Sequence, residues 1–217
     1  MFENFRPKTE EIVACGDCVK LLRDIPSGKI DLVVTDPPYI TNYKSRDGRS
    51  VANDNTEAWL KPAFAQIGRV MKPDSFCVSF YGWHKVDKFM EAWRGAGLYP
   101  VGHIVWIKSY ASKKAKVAYR HESAYLLAKG RPEPKEIIDD VLEWKYSGDT
   151  LHPTQKPVSA LEPLIRAFSE RGDMVLDPFC GSGSTLVAAK RLGRRCIGID
   201  LVEQYCKTAL KRLSEVD

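Results

Sequence analysis

Two short segments combine carboxylate, proline, aromatic and glycine residues in an order that suits ligand chemistry. The first is the tetrapeptide Asp36-Pro37-Pro38-Tyr39. Its prolines lack backbone donors, so carbonyl acceptors stand beside a carboxylate and an aromatic ring, which fits a planar base with an exocyclic amino group. The second segment is Asp177-Pro178-Phe179-Cys180-Gly181-Ser182-Gly183. Its glycines allow a close approach of the backbone to a ligand, which predicts a cofactor loop.

The elements around these segments indicate where they lie in a fold. Short apolar runs at 30–34 and 174–176 precede them and predict buried strands. A helical pattern opens at Ser184-Thr185, directly after the second segment. Because open α/β sheets place ligands at the carboxyl ends of their strands, we expect the two segments to meet in space.

The whole chain predicts an α/β fold, since short apolar runs alternate with helical patterns. Candidate strands span 11–15, 30–35, 75–80, 101–107, 122–128, 174–177 and 195–199. Candidate helices span 17–24, 57–71, 83–95, 157–171, 184–193 and 202–214. We therefore expect a mostly parallel sheet with helices on both faces.

Further motifs accompany the two segments and complete a recognisable order. They are Gly16-Asp17, His121-Glu122, His152-Pro153-Thr154-Gln155-Lys156-Pro157 and Gly198-Ile199-Asp200. With the tetrapeptide placed before the glycine loop, the chain resembles the amino-group DNA methyltransferases, in the permuted order often called beta. The resemblance implies a Rossmann-like, S-adenosylmethionine-dependent methyltransferase fold with a seven-stranded sheet.

The resemblance also implies roles for individual residues. Asp36 and the Pro37 carbonyl would accept hydrogen bonds from the target amino group, and Tyr39 would stack on the extruded base, with Pro38 completing the catalytic tetrapeptide. S-adenosylmethionine would be held by Asp17, Thr154, Lys156, Asp177, Pro178, Phe179, Cys180, Gly181, Gly183, Thr185 and Asp200. A phosphate-binding P-loop fits less well, because no lysine follows the glycines before Lys190.

Charge is unevenly distributed along the chain. Between residues 108 and 135 eight basic residues face two acidic ones, a local net charge of +6, whereas the rest of the chain sums to −1. A solvated lysine face is one interpretation; beside a base-binding tetrapeptide, contact with the phosphates of double-stranded DNA is the better one. The candidate DNA-binding residues are Lys44, Arg46, Lys113, Lys114, Lys116 and Arg120.

Composition limits the other classes of protein. The start of the chain has neither the basic region nor the apolar stretch of a signal peptide, and six cysteines with no such signal predict a cytoplasmic protein with reduced thiols. Cys15 and Cys18 form one CxxC, but no second CxxC follows and the four histidines are scattered. We therefore predict no metal site, and a strand end and turn at this position.

The length of 217 residues predicts a single methyltransferase domain over residues 1–217. In the permuted family, a target-recognition region is inserted at the position of residues 130–151 here. This interval has only 22 residues, too few for a separate folded domain. We expect a short site, relaxed specificity, or DNA contacts shared with a second subunit in a homodimer.

The leading hypothesis is an adenine-N6 DNA methyltransferase, because aspartate at the first tetrapeptide position is more usual in the adenine enzymes. Cytosine-N4 methylation is the alternative within the class, and a non-catalytic DNA-binding module with the same fold is the alternative outside it. The sequence leaves the biological setting open, including a restriction–modification system with a cognate restriction enzyme.

Overall fold

The computed structural model describes residues 11–43, 50–111, 113–114, 116–145 and 155–216. The strands are β1 Glu11–Cys15, β2 Ile30–Thr35, β3 Met71–Phe80, β4 Tyr99–Lys108, β5 Lys113–Lys114, β6 Ala118–Tyr119, β7 His121–Lys129, β8 Val141–Trp144, β9 Met174–Asp177 and β10 Arg195–Asp200. The α-helices are α1 Cys18–Leu21, α2 Leu60–Val70, α3 Val86–Gly95, α4 Val158–Phe168, α5 Ser184–Arg191 and α6 Glu203–Ser214. Short 3₁₀ turns occupy Leu22–Asp24 and Trp83–Lys85.

Eight strands form one sheet in the order β1-β10-β9-β2-β3-β7-β4-β8. Strand β7 runs antiparallel to both of its neighbours, and the other neighbouring pairs in this sheet are parallel. Strands β5 and β6 form a separate antiparallel ribbon just before β7. The predicted α/β fold with a mostly parallel sheet is confirmed.

All seven predicted strands are present, but the sheet has eight. The additional strand, β8, pairs in parallel with β4 at the edge of the sheet. It lies inside the interval 130–151, so part of that interval extends the sheet. The expected strand number of seven is corrected to eight.

Helices cover both faces of the sheet, as the sequence predicts. Because alternate strand residues point to opposite faces, Leu32 and Val34 of β2 join the core beneath α4, α5 and α6. Val33 lies between them in sequence and joins the core beneath α1, α2 and α3. Full burial of each such side chain stabilises the fold by about 1.5–3 kcal/mol. In the part of the chain that the structure describes, no helix has the length and apolar character needed to cross a bilayer.

The sheet order brings the two predicted segments together. Strand β2 is hydrogen-bonded in parallel to β9, with Leu32 opposite Val175 and Val33 opposite Leu176. The tetrapeptide follows β2, and the glycine loop follows β9. Both segments therefore leave adjacent strands at the same carboxyl edge, where they were expected to meet.

Candidate active site

A cavity of about 610 Å³ opens at the carboxyl edge of the sheet, a volume in the range of small-molecule and cofactor sites. All four residues of the tetrapeptide line it, as do Pro178 and Phe179 of the glycine loop. The ends of β1 and β10 complete its far side with Gly16, Asp17, Cys18, Val19, Asp200, Leu201 and Val202. The structure thus brings all four predicted catalytic residues and four of the eleven predicted cofactor residues around one space.

Asp36 is held by two hydrogen bonds at the wall of this cavity. The Tyr39 hydroxyl donates to Oδ1 at 2.7 Å, and the Lys156 ammonium donates to Oδ2 at 2.5 Å. Burial raises the pKa of Asp36, while the charge of Lys156 and these hydrogen bonds oppose that rise. The carboxylate is therefore oriented by its neighbours before any ligand binds, and its remaining lone pairs are free to accept further hydrogen bonds.

Lys156 lies beside the tetrapeptide carboxylate. Its side chain is only 8% exposed, and its ammonium lies 4.8 Å from the centre of the Phe80 ring. Burial alone would lower the pKa of Lys156, but the negative charges of Asp36 and Glu122 raise it above its usual value. A role of Lys156 in cofactor binding stays a prediction, and the structure adds its ion pair with the tetrapeptide carboxylate. Sequence reasoning missed this ion pair, whose partners are 120 residues apart.

The glycine loop turns sharply into α5. Gly183 precedes the helix with φ of +82°, a left-handed conformation that strains residues with a side chain. Asp177, at the end of β9, accepts from the Phe179 amide at 3.1 Å, and burial raises the pKa of its carboxyl to about 7. Lys156, Asp177 and Thr185 also line a small cavity of about 40 Å³ behind the loop.

Two further carboxylates lie on the wall of the large cavity. Asp200 accepts from the Gly181 amide at 2.9 Å and from the Val202 amide at 2.8 Å, so its position relative to the glycine loop is fixed. Burial raises the pKa of Asp200, and these hydrogen bonds oppose that rise. Asp17 is the N-cap residue of α1, and its side chain accepts from the Val19 amide at 2.8 Å. Thr154, the remaining predicted cofactor residue, lies outside the described residues.

Asp54 anchors the segment that follows the tetrapeptide, a contact that sequence reasoning missed. This side chain is 2% exposed and accepts from the amides of Ile40, Thr41 and Tyr43 at 2.7, 3.2 and 2.7 Å. The acidic and amide residues of Asn53-Asp54-Asn55 were the available signal, because such side chains often bind nearby backbone donors. Residues 44–49 of this segment lie outside the described residues.

The basic residues of the interval 108–135 differ in their surroundings. Lys108 is buried in an ion pair with Glu122, Lys129 donates to two backbone carbonyls, and Lys135 pairs with Glu170 at 2.6 Å. These three lysines have partners within the fold. Of the candidate DNA-binding residues, Lys116 and Arg120 are exposed, and Lys113 and Lys114 form strand β5. Lys44 and Arg46 lie outside the described residues.

All six cysteines are free thiols. Cys15 ends β1 and Cys18 begins α1, which is the strand end and turn that the sequence predicts. Burial raises the pKa of the Cys180 thiol well above its usual value, so this residue is not an activated nucleophile. Within the described ranges, no group of three or more His, Cys, Asp or Glu side chains could hold a metal ion.

The Gly183→Ala substitution should lower the melting temperature by about 2–10 °C, because left-handed backbone costs a residue with a side chain about 1–3 kcal/mol. The added methyl group would also lie only 2.8 Å from Cβ of Ala209. Two controls separate these causes by thermal denaturation. At Gly28 the backbone has φ of +67° and an added methyl group would meet open space, so Gly28→Ala tests the backbone cost alone. At Gly95 an added methyl group would also meet open space, and φ is not positive. A Gly183→Ala melting temperature equal to that of Gly95→Ala would contradict the assignment.

A doubly wound sheet with an acceptor tetrapeptide and a glycine loop at its carboxyl edge defines the class of S-adenosylmethionine-dependent methyltransferases that act on amino groups. Within that class, the chain belongs to the N6/N4 DNA methylase family, whose model matches residues 30–211. It is therefore an S-adenosylmethionine-dependent DNA methyltransferase.

Individual relatives agree with this family. YubD of Escherichia coli (strain K12), a protein assigned as a methylase, is 53% identical over 202 residues, which cover 93% of this chain and 89% of YubD. The type II methyltransferase M.BglII of Bacillus subtilis is 28% identical over 246 residues, covering 92% of this chain and 68% of that protein.

Solved structures share the fold. The complex of M1.HpyAVI with S-adenosylmethionine has a TM-score of 0.76 at 23% identity, covering 94% of this chain and 98% of that one. The cytosine-N4-specific PvuII DNA methyltransferase also has a TM-score of 0.76, at 19% identity, covering 94% and 86% of the two chains.

Proposed function

We propose that this chain transfers a methyl group from S-adenosylmethionine to the N6 amino group of adenine in double-stranded DNA. The observation that carries the proposal is the Asp36 carboxylate, which is fixed beside Pro37 and Tyr39 at the wall of a ligand-sized cavity. An aspartate at this position is the feature that favours adenine over cytosine. Cytosine-N4 methylation uses the same geometry and is the second candidate.

The tetrapeptide would act by accepting hydrogen bonds and by stacking. A base inside a duplex cannot reach this cavity, so the target nucleotide must leave the stack. Asp36 and the Pro37 carbonyl would then accept from its amino group and stabilise the positive charge that develops on nitrogen. The Tyr39 ring would stack on the base, a contact worth about 1–3 kcal/mol.

The rest of the cavity fits the chemistry of S-adenosylmethionine, which supplies the methyl group when it is bound. Asp200 would accept from the ribose hydroxyls, and Asp17 would face the adenine amino group. The loop from Asp177 to Gly183, with Thr185, would surround the methionine end. Lys156 and Thr154 would close the pocket on the side of the tetrapeptide.

We also propose which residues contact the DNA. Lys113, Lys114, Lys116 and Arg120 would contact phosphates, together with Lys44 and Arg46 of the loop after the tetrapeptide. Residues 1–217 would act as one methyltransferase domain, and the interval 130–151 would take part in recognising a short target. A small recognition region makes a homodimer useful, and the type II relatives make a cognate restriction enzyme a reasonable partner.

The test is to incubate the purified protein with unmodified DNA and S-adenosylmethionine and to identify the modified nucleoside by mass spectrometry. We expect N6-methyladenine. N4-methylcytosine would keep the mechanism and overturn the target base. No modified base, with cofactor and DNA binding both intact, would instead support a non-catalytic DNA-binding protein.

A further inference from the structure

Trp83, which is exposed, and Tyr119, which is half-buried, form an aromatic shelf at the carboxyl edge of the sheet. Their ring centroids are 6.1 Å apart and their planes differ by 26°, although they belong to two different elements, the 3₁₀ turn after β3 and strand β6. Trp83 is 58% exposed. We propose that this shelf stacks on a base of the DNA next to the extruded nucleotide.

The shelf lies beside the catalytic tetrapeptide. Gly82, the residue before Trp83, packs closely on Tyr39. A Cβ added to Gly82 would lie 2.7 Å from the carbonyl oxygen of Tyr39 and 2.9 Å from the Cβ of Tyr39. The chain therefore enters the turn that carries Trp83 while in contact with the backbone of Tyr39. A nucleotide bound against Tyr39 would have its neighbours along the strand close to this turn.

The exposure of Trp83 is unusual for its residue type. It is the most exposed of the five tryptophans, and Trp93, Trp106 and Trp144 are all buried in the core. Tryptophan has the largest apolar side chain, and its burial usually stabilises a fold. The indole ring of Trp83 does not pack in the core, so one of its faces is available to a ligand.

Charges around the shelf favour a nucleic acid over an apolar protein partner. The described segments 83–85 and 116–121 contain His84, Lys85, Lys116, Arg120 and His121, and neither contains an acidic residue. In the antiparallel ribbon of β5 and β6, the backbone of Lys113 lies opposite that of Tyr119. An aromatic surface flanked by cations is the arrangement that binds unstacked bases and their phosphates. The inference rests on the proposed function, since it assumes that DNA enters this edge of the sheet.

The experiment compares Trp83→Ala with Tyr99→Ala, a matched control. Tyr99 is also 58% exposed, but it begins β4 at the opposite, amino edge of the sheet. The probe is a fluorescein-labelled duplex cut from DNA that the parent protein methylates, with binding followed by anisotropy. We expect Trp83→Ala to weaken binding by about 5- to 100-fold, Trp83→Phe to recover most of that loss, and Tyr99→Ala to change nothing. S-adenosylmethionine affinity, measured by calorimetry, should be the same in all four proteins.

Tryptophan emission supplies a second readout that a merely structural role would not change. Stacking of a base on Trp83 should quench emission when the duplex binds, and this quenching should disappear in Trp83→Phe, which still binds. Equal duplex affinity for Trp83→Ala and the parent would overturn the inference, as would a change in oligomeric state without a change in DNA binding. A parent protein that methylates no DNA would instead overturn the proposed function.

Discussion

Replacement of Asp36 by alanine should lower the rate of DNA methylation by at least about 100-fold, the scale seen when one preorganised electrostatic group is removed from an active site. The Asp36 carboxylate lines the cavity, and we propose it as the acceptor for the target amino group. S-adenosylmethionine affinity should stay close to that of the parent, because the Asp200 and Asp17 carboxylates are unchanged. Single-turnover methylation and calorimetry measure the two quantities separately.

The same substitution leaves the buried ammonium of Lys156 without its ion-pair partner. Removal of one partner of a buried pair destabilises a protein by about 3–5 kcal/mol, so the variant will also melt at a lower temperature. The double variant Asp36→Ala/Lys156→Met removes both charges and keeps an unbranched side chain of similar length. It should recover most of the lost stability and remain inactive. Recovery of activity together with stability would show that Asp36 acts only in folding.

Sequence reasoning placed the two segments at the carboxyl edge of the sheet correctly, for a physical reason. Strands β2 and β9 are buried on both faces, so they contain apolar runs, 32–34 and 174–176, that stand out in the sequence. The polar segments after such runs mark the carboxyl edge of a parallel sheet. Strand β8 was missed because it has four residues, is exposed at alternate positions and lies among prolines and acidic residues.

The contacts within the site were harder to predict than its position. The residues around Lys156 in the sequence do not indicate its ion pair with Asp36. That ion pair depends on how the segment before α4 passes the end of β2. The same holds for Lys108, one of the eight basic residues of the interval 108–135. It is buried against Glu122 and the Trp144 ring, at 5.2 Å from the ring centre. Local charge patterns do not distinguish a solvated lysine from a buried one.

Replacement of Asp200 by alanine should weaken cofactor binding and leave the methylation rate at saturating cofactor nearly unchanged, the reverse of the effect expected for Asp36→Ala. Loss of the charged acceptor that we propose for the two ribose hydroxyls should weaken S-adenosylmethionine binding by at least about 10-fold, since a hydrogen bond to a charged group is worth about 1.5–3 kcal/mol. With saturating cofactor, the methylation rate should return close to that of the parent, because the tetrapeptide is intact. Calorimetry and a titration of rate against cofactor concentration measure this split.

Asp200 also fixes the glycine loop through the Gly181 amide, so a structural effect has to be separated from a lost ligand contact. Asp173→Ala is the matched control, because its carboxylate likewise accepts from a backbone amide, that of Glu170 at 2.7 Å, and does not line the cavity. Asp200→Asn keeps a carbonyl acceptor for one amide while losing the charge, so it should weaken cofactor binding with a smaller loss of stability. If Asp200→Ala and Asp173→Ala changed cofactor affinity equally, the ribose assignment would be wrong. If Asp200→Ala stayed slow at saturating cofactor, the carboxylate would act on the glycine loop and the tetrapeptide together.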